Sequence, residues 1–379
     1  MTGRKIVYAA MAVALLSGLV ALPARAQNES QAAILGLLYL PGAREMSMGG
    51  AGTAGATGSA ASYYNPALLS WQTTPDGKIH PRAIGSSYYK ILQGFGLNDM
   101  YYMYFPVMFH VPDWGEFAVN MTYLSLGEQQ RTDEYGVVTG TFKTYTLAVG
   151  LSYSSRISDN ASAGLTVKWF YDHLADAGAV GEKGEPIGEG FALDAGILYK
   201  WRENVTFGAA LRNYGPNVQY IDAQQASPTP VNFNLGTSWK AFDTKYNDFT
   251  LAMDVYKPLV MASKSWYLAP IRGWWDEEVY SIEEVDGGDD IIHKDKFKEE
   301  RRQIDVRLGA EYTYSDYVSL RSGYFKDWDG AREWLTFGAG FRLPIVAASV
   351  KVDFGYVYSL KGDDDPNHGL QIFSLGVIF

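Results

Sequence analysis

The sequence predicts an all-β protein: a 14-stranded antiparallel transmembrane β-barrel with an N-terminal hatch inside its lumen. Two observations predict the barrel. About fourteen segments after residue 84 alternate between apolar and polar residues, and the connections between them alternate between short and long. A third observation predicts the hatch, because a stretch with five glycines in ten residues, 49–58, precedes the first of these segments.

The first 26 residues are expected to be an export signal. Arg4 and Lys5 precede an apolar run, and Ala24-Arg25-Ala26 has the small-x-small pattern of a cleavage site. The apolar run, 6–20, is too short for a membrane-spanning helix. Without the three basic residues of this segment, 29 of the 32 basic residues remain against 42 acidic ones, a net charge of −13. Nucleic acid is therefore a poor candidate partner.

The predicted hatch, residues 27–83, contains a stretch that fits neither an ordinary strand nor an ordinary helix. Its glycines allow the backbone to fold tightly in a narrow space. Gly50-Ala51-Gly52-Thr53-Ala54-Gly55 also matches the G-x-G-x-x-G pattern of dinucleotide-binding folds, which requires a strand before it and a helix after it. Pro41-Gly42 and Asn65-Pro66 interrupt the flanking segments. We therefore do not expect a nucleotide site.

The predicted barrel, residues 84–379, depends on the alternation of its residues. In 304–312 the even positions are Ile, Val, Leu, Ala and Tyr, whereas the odd positions are Asp, Arg, Gly and Glu. The same separation recurs in 163–169, 191–197 and 350–356. One face of each segment suits lipid and the other suits a polar lumen. The 27 tyrosines, 10 tryptophans and 40 glycines agree with a barrel, because aromatic girdles mark its interfaces with water.

The strand count is even, as closure of an antiparallel barrel with both ends on one side requires. The predicted strands are 84–92, 100–109, 116–132, 142–157, 161–174, 189–201, 205–214, 231–242, 248–259, 303–315, 317–328, 333–344, 348–362 and 369–379. Short connections follow even-numbered strands, and the long ones follow odd-numbered strands. The clearest examples are the short connections 158–160, 202–204 and 345–347 and the long connections 175–188, 215–230 and 260–302. Short periplasmic turns and long external loops are typical of outer-membrane barrels.

With these features, the chain resembles the FadL-type barrel superfamily, whose hatch carries an Asn-Pro-Ala element and folds inside the barrel. Within that superfamily it is most similar to the PorV/PorQ family associated with the type IX secretion system. The similarity covers Leu37-Leu38-Tyr39-Leu40, the segments 42–44 and 48–54, and Asn65-Pro66-Ala67-Leu68-Leu69. The hatch motif consists of Gly42, Arg44, Gly49, Gly50, Gly52, Asn65, Pro66 and Ala67.

The resemblance implies a protein of the cell outer membrane, in contact with its lipid, that is not an enzyme. A PorV-like member would bind secreted cargo as it leaves a large translocon barrel. It would then carry the cargo, held by its C-terminal signal domain, to the surface attachment machinery. A PorQ-like member would sit with that attachment machinery. A FadL-like member would instead pass hydrophobic small molecules through the membrane.

The fifth external loop, 260–302, is the candidate partner-binding loop. Between 276 and 302 it has 11 acidic and 5 basic residues, and tryptophans precede them. Such a loop suits a protein partner, although an ordinary solvated acidic loop has the same composition. The third and fourth external loops, 175–188 and 215–230, are shorter than 260–302 and carry charged residues, which leaves little apolar surface for capturing a lipid. The candidate binding residues are Trp266, Trp274, Trp275, Asp276, Glu277, Glu278, Glu283 and Glu284.

Charged residues on the predicted lumen face allow two interpretations. They could form a selectivity pathway, or they could pair with one another and with Arg44 and Glu45 of the hatch. We expect the pairing. These residues are Lys168, Asp194, Arg212, Asp254, Asp305, Arg307, Glu311, Lys351 and Asp353.

The last strand ends in Phe379 with apolar residues at alternate positions, which resembles the carboxy-terminal assembly signal of outer-membrane barrels. The chain has no cysteine, so disulfides and thiolate metal sites are excluded. Its five histidines are scattered singly. The sequence contains no carboxylate pair or nucleophile in a pattern typical of a catalytic site. We therefore expect no metal, no cofactor and no enzymatic activity.

Overall fold

Fourteen strands form a closed antiparallel barrel around the hatch in a computed structural model of the chain. The structure describes residues 32–72, 82–93, 97, 99–132, 135–176, 186–221, 226–261, 266–274, 280–285, 288–293, 301–328, 332–345 and 348–379. The predicted export signal lies outside these residues. Each barrel strand pairs with the barrel strands that precede and follow it, and the first pairs with the last. The predicted fold class is therefore confirmed.

The barrel strands agree with the predicted ones to within four residues at every end. They are β1 (Ala83–Lys90), β2 (Met100–Val111), β3 (Gly115–Thr132), β4 (Val138–Ser158), β5 (Ala161–His173), β6 (Ile187–Arg202), β7 (Val205–Tyr214), β8 (Asn232–Asp243), β9 (Asn247–Pro258), β12 (Asp305–Tyr314), β13 (Val318–Lys326), β14 (Glu333–Ile345), β15 (Ala348–Ser359) and β16 (Gln371–Ile378). The long connection between β9 and β12 contains a hairpin that was not predicted, formed by β10 (Tyr280–Val285) and β11 (Gly288–His293).

The predicted lipid and lumen faces are confirmed by the burial of alternate residues. Asp305 and Arg307 of β12 are buried in the lumen, whereas Leu308 faces outward. In β6, Asp194 is buried and Phe191 is exposed. Because the sheet closes on itself, every barrel strand has a neighbour on both sides. Such closure satisfies the backbone hydrogen bonds that lipid cannot satisfy.

The predicted alternation of connection lengths is also confirmed. The short connections all lie at one end of the barrel, at 112–114, 159–160, 203–204, 244–246, 315–317 and 346–347. The connections at the opposite end include the long ones, 174–186, 215–231 and 259–304. We call these the turn end and the loop end. The loop after β9 begins with two short helical turns, Trp266–Leu268 and Ala269–Arg272.

The hatch consists of short helical segments inside the barrel. They are the 3-10 helices Leu35–Leu38, Gly58–Ala60 and Pro66–Trp71 and the helices Ala43–Ser47 and Ala61–Tyr64. Hatch and wall share one apolar core, in which the ring of Tyr63 packs edge-on against Tyr104 of β2 at 5.8 Å. Among the described residues, no helix is long and apolar enough to cross a membrane.

The orientation of the barrel can be tested because the chain has no cysteine. Asp363 is exposed between β15 and β16 at the loop end, and Glu203 is exposed between β6 and β7 at the turn end. We expect a membrane-impermeant maleimide to label Asp363→Cys on intact cells. Glu203→Cys should be labelled only after the outer membrane is permeabilised. Labelling of Glu203→Cys alone on intact cells would mean that the barrel has the opposite orientation.

Candidate functional site

The hatch backbone touches the barrel wall at a point where both the hatch segment and the wall strand have glycine. Gly49 has a φ of 69°, and a Cβ built on it would lie 2.5 Å from the carbonyl oxygen of Tyr324 and 2.6 Å from that of Leu308. On the wall, a Cβ at Gly323 would lie 2.1 Å from the Gly49 nitrogen. The Gly49 amide also donates to the hydroxyl of Thr336 at 3.0 Å. Only glycine allows so close an approach of two backbones.

The Asn-Pro-Ala element holds the hatch against another part of the wall. The Asn65 side chain is fully buried, and its Oδ1 accepts a hydrogen bond from the Ala67 amide at 3.0 Å. Pro66 therefore starts the 3-10 helix that follows, with Asn65 as its N-cap. The Asn65 Nδ2 donates to the carbonyl oxygens of Thr53 and Ile197, both at 3.0 Å. One side chain thus joins two hatch segments and strand β6.

Asp254 of β9 binds the glycine-rich segment of the hatch. Its Oδ2 accepts hydrogen bonds from the amides of Gly52 and Thr53 and from the Thr53 hydroxyl, each at 2.8 Å. Three donors on one buried carboxylate oxygen satisfy a charge that would otherwise be costly inside the barrel.

Arg44 makes the principal ionic contact between the hatch and the wall. Its Nε and Nη2 donate to the two carboxylate oxygens of Glu311 at 3.0 and 2.6 Å. Its Nη1 donates to Glu45 and to the Gly55 carbonyl oxygen, both at 3.0 Å. Burial lowers the pKa of the Arg44 guanidinium, but the Glu311 and Glu45 carboxylates outweigh burial and raise it.

This ion pair continues across the wall from β12 through β13 to β15. Arg321 of β13 donates through Nε to Glu311 at 2.6 Å, and its Nη1 lies 2.8 Å from Asp353 of β15. Lys351 lies 3.7 Å from the same Asp353 carboxylate. Elsewhere, Lys168 and Asp194 pair at 2.7 Å. The predicted pairing of lumen charges with one another and with the hatch is present.

Two cavities flank the hatch helix Ala43–Ser47. The cavity at the loop end has a volume of about 490 Å³, and Met46 forms part of its lining. The cavity at the turn end has a volume of about 390 Å³, and Arg44 and Glu45 form part of its lining. The helix therefore stands between the two cavities.

The loop-end cavity combines an aromatic wall with charged and amide groups. Phe325 and Trp334 stack at a ring distance of 4.5 Å. The Trp334 Nε1 donates to Asp365, in the connection between β15 and β16, at 2.5 Å. Burial raises the pKa of Asp365, but hydrogen bonds from the Asn367 amide and from Trp334 contribute to a net lowering. Further lining residues are Leu38, Tyr39, Tyr256, Arg212, Arg307 and Arg332.

The structure brings all the residues of the predicted hatch motif into the lumen and places Trp266 and Trp274 of the predicted partner loop against barrel strands. Trp266 packs on Tyr214 of β7 at 5.2 Å, and Trp274 packs edge-on against Phe233 of β8 at 5.3 Å. Both tryptophans thus anchor the beginning of the loop. Four predicted binding residues, Trp275, Asp276, Glu277 and Glu278, lie outside the described residues. Glu283 and Glu284 lie on β10.

Phe379 lies beside the first barrel strand, and its predicted assembly role stays a prediction. Its amide donates to the carbonyl oxygen of Arg82 at 2.8 Å. The sequence did not single out Trp71, at the end of the hatch. Arg156 and Lys200 each lie 4.0 Å from the centre of its ring. No local pattern in the sequence marks this contact, because the three residues come from separate elements.

Solved structures with the same architecture include channels and transporters. The Pseudomonas putida toluene transporter TodX is 13% identical, with a TM-score of 0.52 over 89% of this chain and 96% of that one. The CymD monoaromatic hydrocarbon channel is 11% identical, with a TM-score of 0.52 over 89% and 97%. The Ralstonia pickettii toluene transporter TbuX is 13% identical, with a TM-score of 0.51 over 90% and 98%. At these identities the likeness shows the fold alone.

The closed 14-stranded barrel with a small helical hatch in its lumen defines a transmembrane β-barrel with the same fold as these channels and transporters. Within that class, the family model described as type IX secretion system protein PorV matches residues 23–265, more than half of the chain. The chain therefore belongs to the PorV family. No curated protein sequence matches it.

The close approach of hatch and wall can be tested with two glycines that share one backbone conformation. Gly49 and Gly58 both have a φ of 69°, but a Cβ on Gly58 would meet nothing within 4 Å. We expect Gly49→Ala to lower the free energy of hatch opening by about 1–3 kcal/mol more than Gly58→Ala does, because overpacking adds to the strain. Hydrogen exchange of the hatch amides measures this difference.

Heat-modifiable migration on gels is the control for assembly of the barrel. Both variants should keep it, since neither glycine belongs to a barrel strand. Equal exchange in the two variants would contradict the proposed contact. Loss of barrel migration in Gly49→Ala alone would show that the hatch is needed for barrel assembly.

Proposed function

We propose that this PorV-family barrel binds secreted cargo proteins at its loop end through their C-terminal signal domains. It then carries them from a large translocon barrel to the surface attachment machinery. The family match supports a place in the type IX secretion system. The single observation that carries the proposal is the apolar surface at the loop end, where Tyr267 and Ile271 are exposed on a base anchored by Trp266 and Trp274.

The hatch is held in the lumen by buried charges that would be expensive to separate. Arg44 forms a bidentate ion pair with Glu311, and Asp254 accepts hydrogen bonds from the amides of Gly52 and Thr53. Breaking a buried ion pair by removing one partner typically costs 3–5 kcal/mol. A protein that passed solutes through this space would have to move these groups. A protein that binds a partner at one end can leave them in place.

The loop end offers exposed apolar residues on an anchored base. Tyr267 and Ile271 are 56% and 58% exposed, next to the packed rings of Trp266 and Trp274. The Tyr214 hydroxyl also donates to the Tyr267 carbonyl oxygen at 3.1 Å, which fixes this segment to β7. Exposed aromatic and aliphatic side chains on a rigid base are typical of protein-binding surfaces. This region therefore supports a protein partner rather than a small apolar ligand.

The alternative is a FadL-like transporter for hydrophobic small molecules. The aromatic wall of the loop-end cavity favours it, as does the shared fold with channels named for toluene and other monoaromatic hydrocarbons. The two functions place their determinants differently. A shuttle depends on the loops outside the barrel, whereas a transporter depends on the lumen and on displacement of the hatch.

Deleting residues 276–300 should abolish binding of cargo while a folded barrel remains in the outer membrane. The deletion removes the acidic part of the partner loop but spares Trp266, Trp274 and every barrel strand. Co-purification of cargo in mild detergent measures binding, and heat-modifiable migration monitors folding. Normal cargo export after the deletion, together with impaired uptake of a hydrophobic compound after lumen substitutions, would contradict the shuttle and support the transporter.

Point substitutions at the anchored base test the same surface without removing any chain. We expect the double variant Tyr267→Lys and Ile271→Lys to lower cargo affinity by tenfold or more, because two apolar contacts worth about 1 kcal/mol or more each are lost. Ile157→Lys is the matched control, since Ile157 is 68% exposed but lies at the turn end. Equal losses in the double variant and the control would argue against a binding surface at the loop end.

A further inference from the structure

Two arginines in the loop-end cavity have unused hydrogen-bond donors. Arg212 of β7 is 2% exposed and Arg307 of β12 is 6% exposed, and both line the cavity. Within the part of the chain that the structure describes, Nε and Nη2 of Arg212 and Nε of Arg307 have no hydrogen-bond partner. Buried guanidinium groups ordinarily use these donors. The three atoms are themselves buried, but the guanidinium groups that carry them line the cavity, so the protein satisfies the positive charge there only in part.

The carboxylates near these arginines are engaged elsewhere or lie at a distance. Asp194 binds Lys168 and the Asn213 amide, each at 2.7 Å. Asp305 lies 3.7 Å from Arg307, which is longer than a charge-assisted hydrogen bond. Asp254, opposite Arg307 on the neighbouring strand, holds the hatch amides through Oδ2, and its Oδ1 has no hydrogen-bond partner among the described residues.

A third arginine in the same cavity provides the contrast. Arg332 donates through Nε to Asp327 at 2.8 Å, and both residues line the cavity. The Asp327 carboxylate neutralises the Arg332 guanidinium, which therefore attracts an anion less strongly. The cavity thus contains one arginine in a close ion pair and two with free donors, which makes Arg332 a matched control.

Aromatic rings hold the two arginines in place. The guanidinium of Arg212 lies 3.9 Å from the centre of the Tyr63 ring, and that of Arg307 lies 4.7 Å from Tyr256 and 5.7 Å from Phe325. Ring contacts of this kind orient a guanidinium while leaving its edge free for hydrogen bonds. A carboxylate is the group whose planar geometry matches that edge.

The rest of the cavity suits a short piece of peptide. Leu38, Phe325 and Trp334 supply apolar surface, and the amide side chains of Asn232 and Gln303 supply polar groups. A volume of about 490 Å³ lies within the range of known ligand pockets. The cavity also lies at the end of the barrel that carries the long loops. A peptide combines apolar side chains with polar backbone groups, which suits a cavity lined by residues of both kinds.

We infer that this cavity receives the carboxy-terminal end of a peptide chain. The free carboxylate contacts Arg212 and Arg307, and the last side chain packs against the ring of Phe325. The inference rests on the proposed function only for the source of the peptide, which would then be the end of the cargo's signal domain. Capture of a terminal carboxylate is a recurring way to recognise peptides.

Calorimetric titration of the detergent-purified barrel with a defined probe tests this site. The probe is N-acetyl-tetraalanyl-phenylalanine, as the free acid and as the carboxamide. We expect the acid to bind about tenfold or more tightly than the amide, because hydrogen bonds to charged groups are lost in the amide. Arg212→Gln and Arg307→Gln should reduce the acid's affinity to that of the amide. Arg332→Gln should preserve the preference for the acid.

Comparing acid and amide on the unaltered protein tests the site even if a variant fails to fold. For each variant, an unchanged affinity for the amide shows that the protein is folded. Equal affinities for acid and amide, or no binding of the acid at 1 mM probe, would overturn the inference. Binding of 3-phenylpropionate as tightly as the peptide would also overturn it, in favour of a site for small apolar acids.

The cargo assay separates this inference from the proposed function. A barrel that co-purifies with cargo but does not distinguish acid from amide would retain the shuttle and overturn the peptide-end site. A barrel that prefers the acid but binds no cargo would retain the site and overturn the shuttle.

Discussion

The bidentate ion pair between Arg44 and Glu311 is the contact on which the position of the hatch depends. Neither charge is tolerable alone inside the barrel, because the cost of removing a charge from water is recovered only when a partner is in place. Arg321 extends the pair to Asp353, so three strands of the wall share one network with the hatch. Such a network specifies one arrangement, since any displaced hatch leaves several buried charges unpaired.

Close packing of backbones makes this arrangement sterically possible. The Arg44 guanidinium can reach β12 only if the hatch helix lies directly on the wall, and small wall residues provide the space. A Cβ at Gly309 would lie 2.5 Å from the Cβ of Met48, and one at Gly338 would lie 2.0 Å from the Ser47 hydroxyl oxygen. The close contact between hatch and wall therefore requires glycine both in the hatch and in the strands.

The sequence predicted the features that follow from local periodicity. Alternation placed Asp305 and Arg307 in the lumen, and the lengths of the connections separated the two ends of the barrel. The hairpin of β10 and β11 was missed because a charged, irregular loop carries no clear period-2 pattern. The sequence predicted that lumen charges pair with one another and with the hatch, but it did not identify the partner of each residue. Partners such as Arg44 and Glu311 are 267 positions apart in the chain. The free donors of Arg212 depend on three-dimensional geometry that no motif encodes.

The same hatch gives the barrel two chemically different ends. Met46 faces the loop-end cavity, and its neighbours Arg44 and Glu45 line the turn-end cavity. A single helical turn thus presents apolar surface to one side and charge to the other, as the spacing of side chains on a helix requires. The Arg44 network therefore lies away from the cavity that we assign to a ligand. Occupation of that cavity need not disturb the Arg44 network, so binding at the loop end is compatible with a hatch that stays in place.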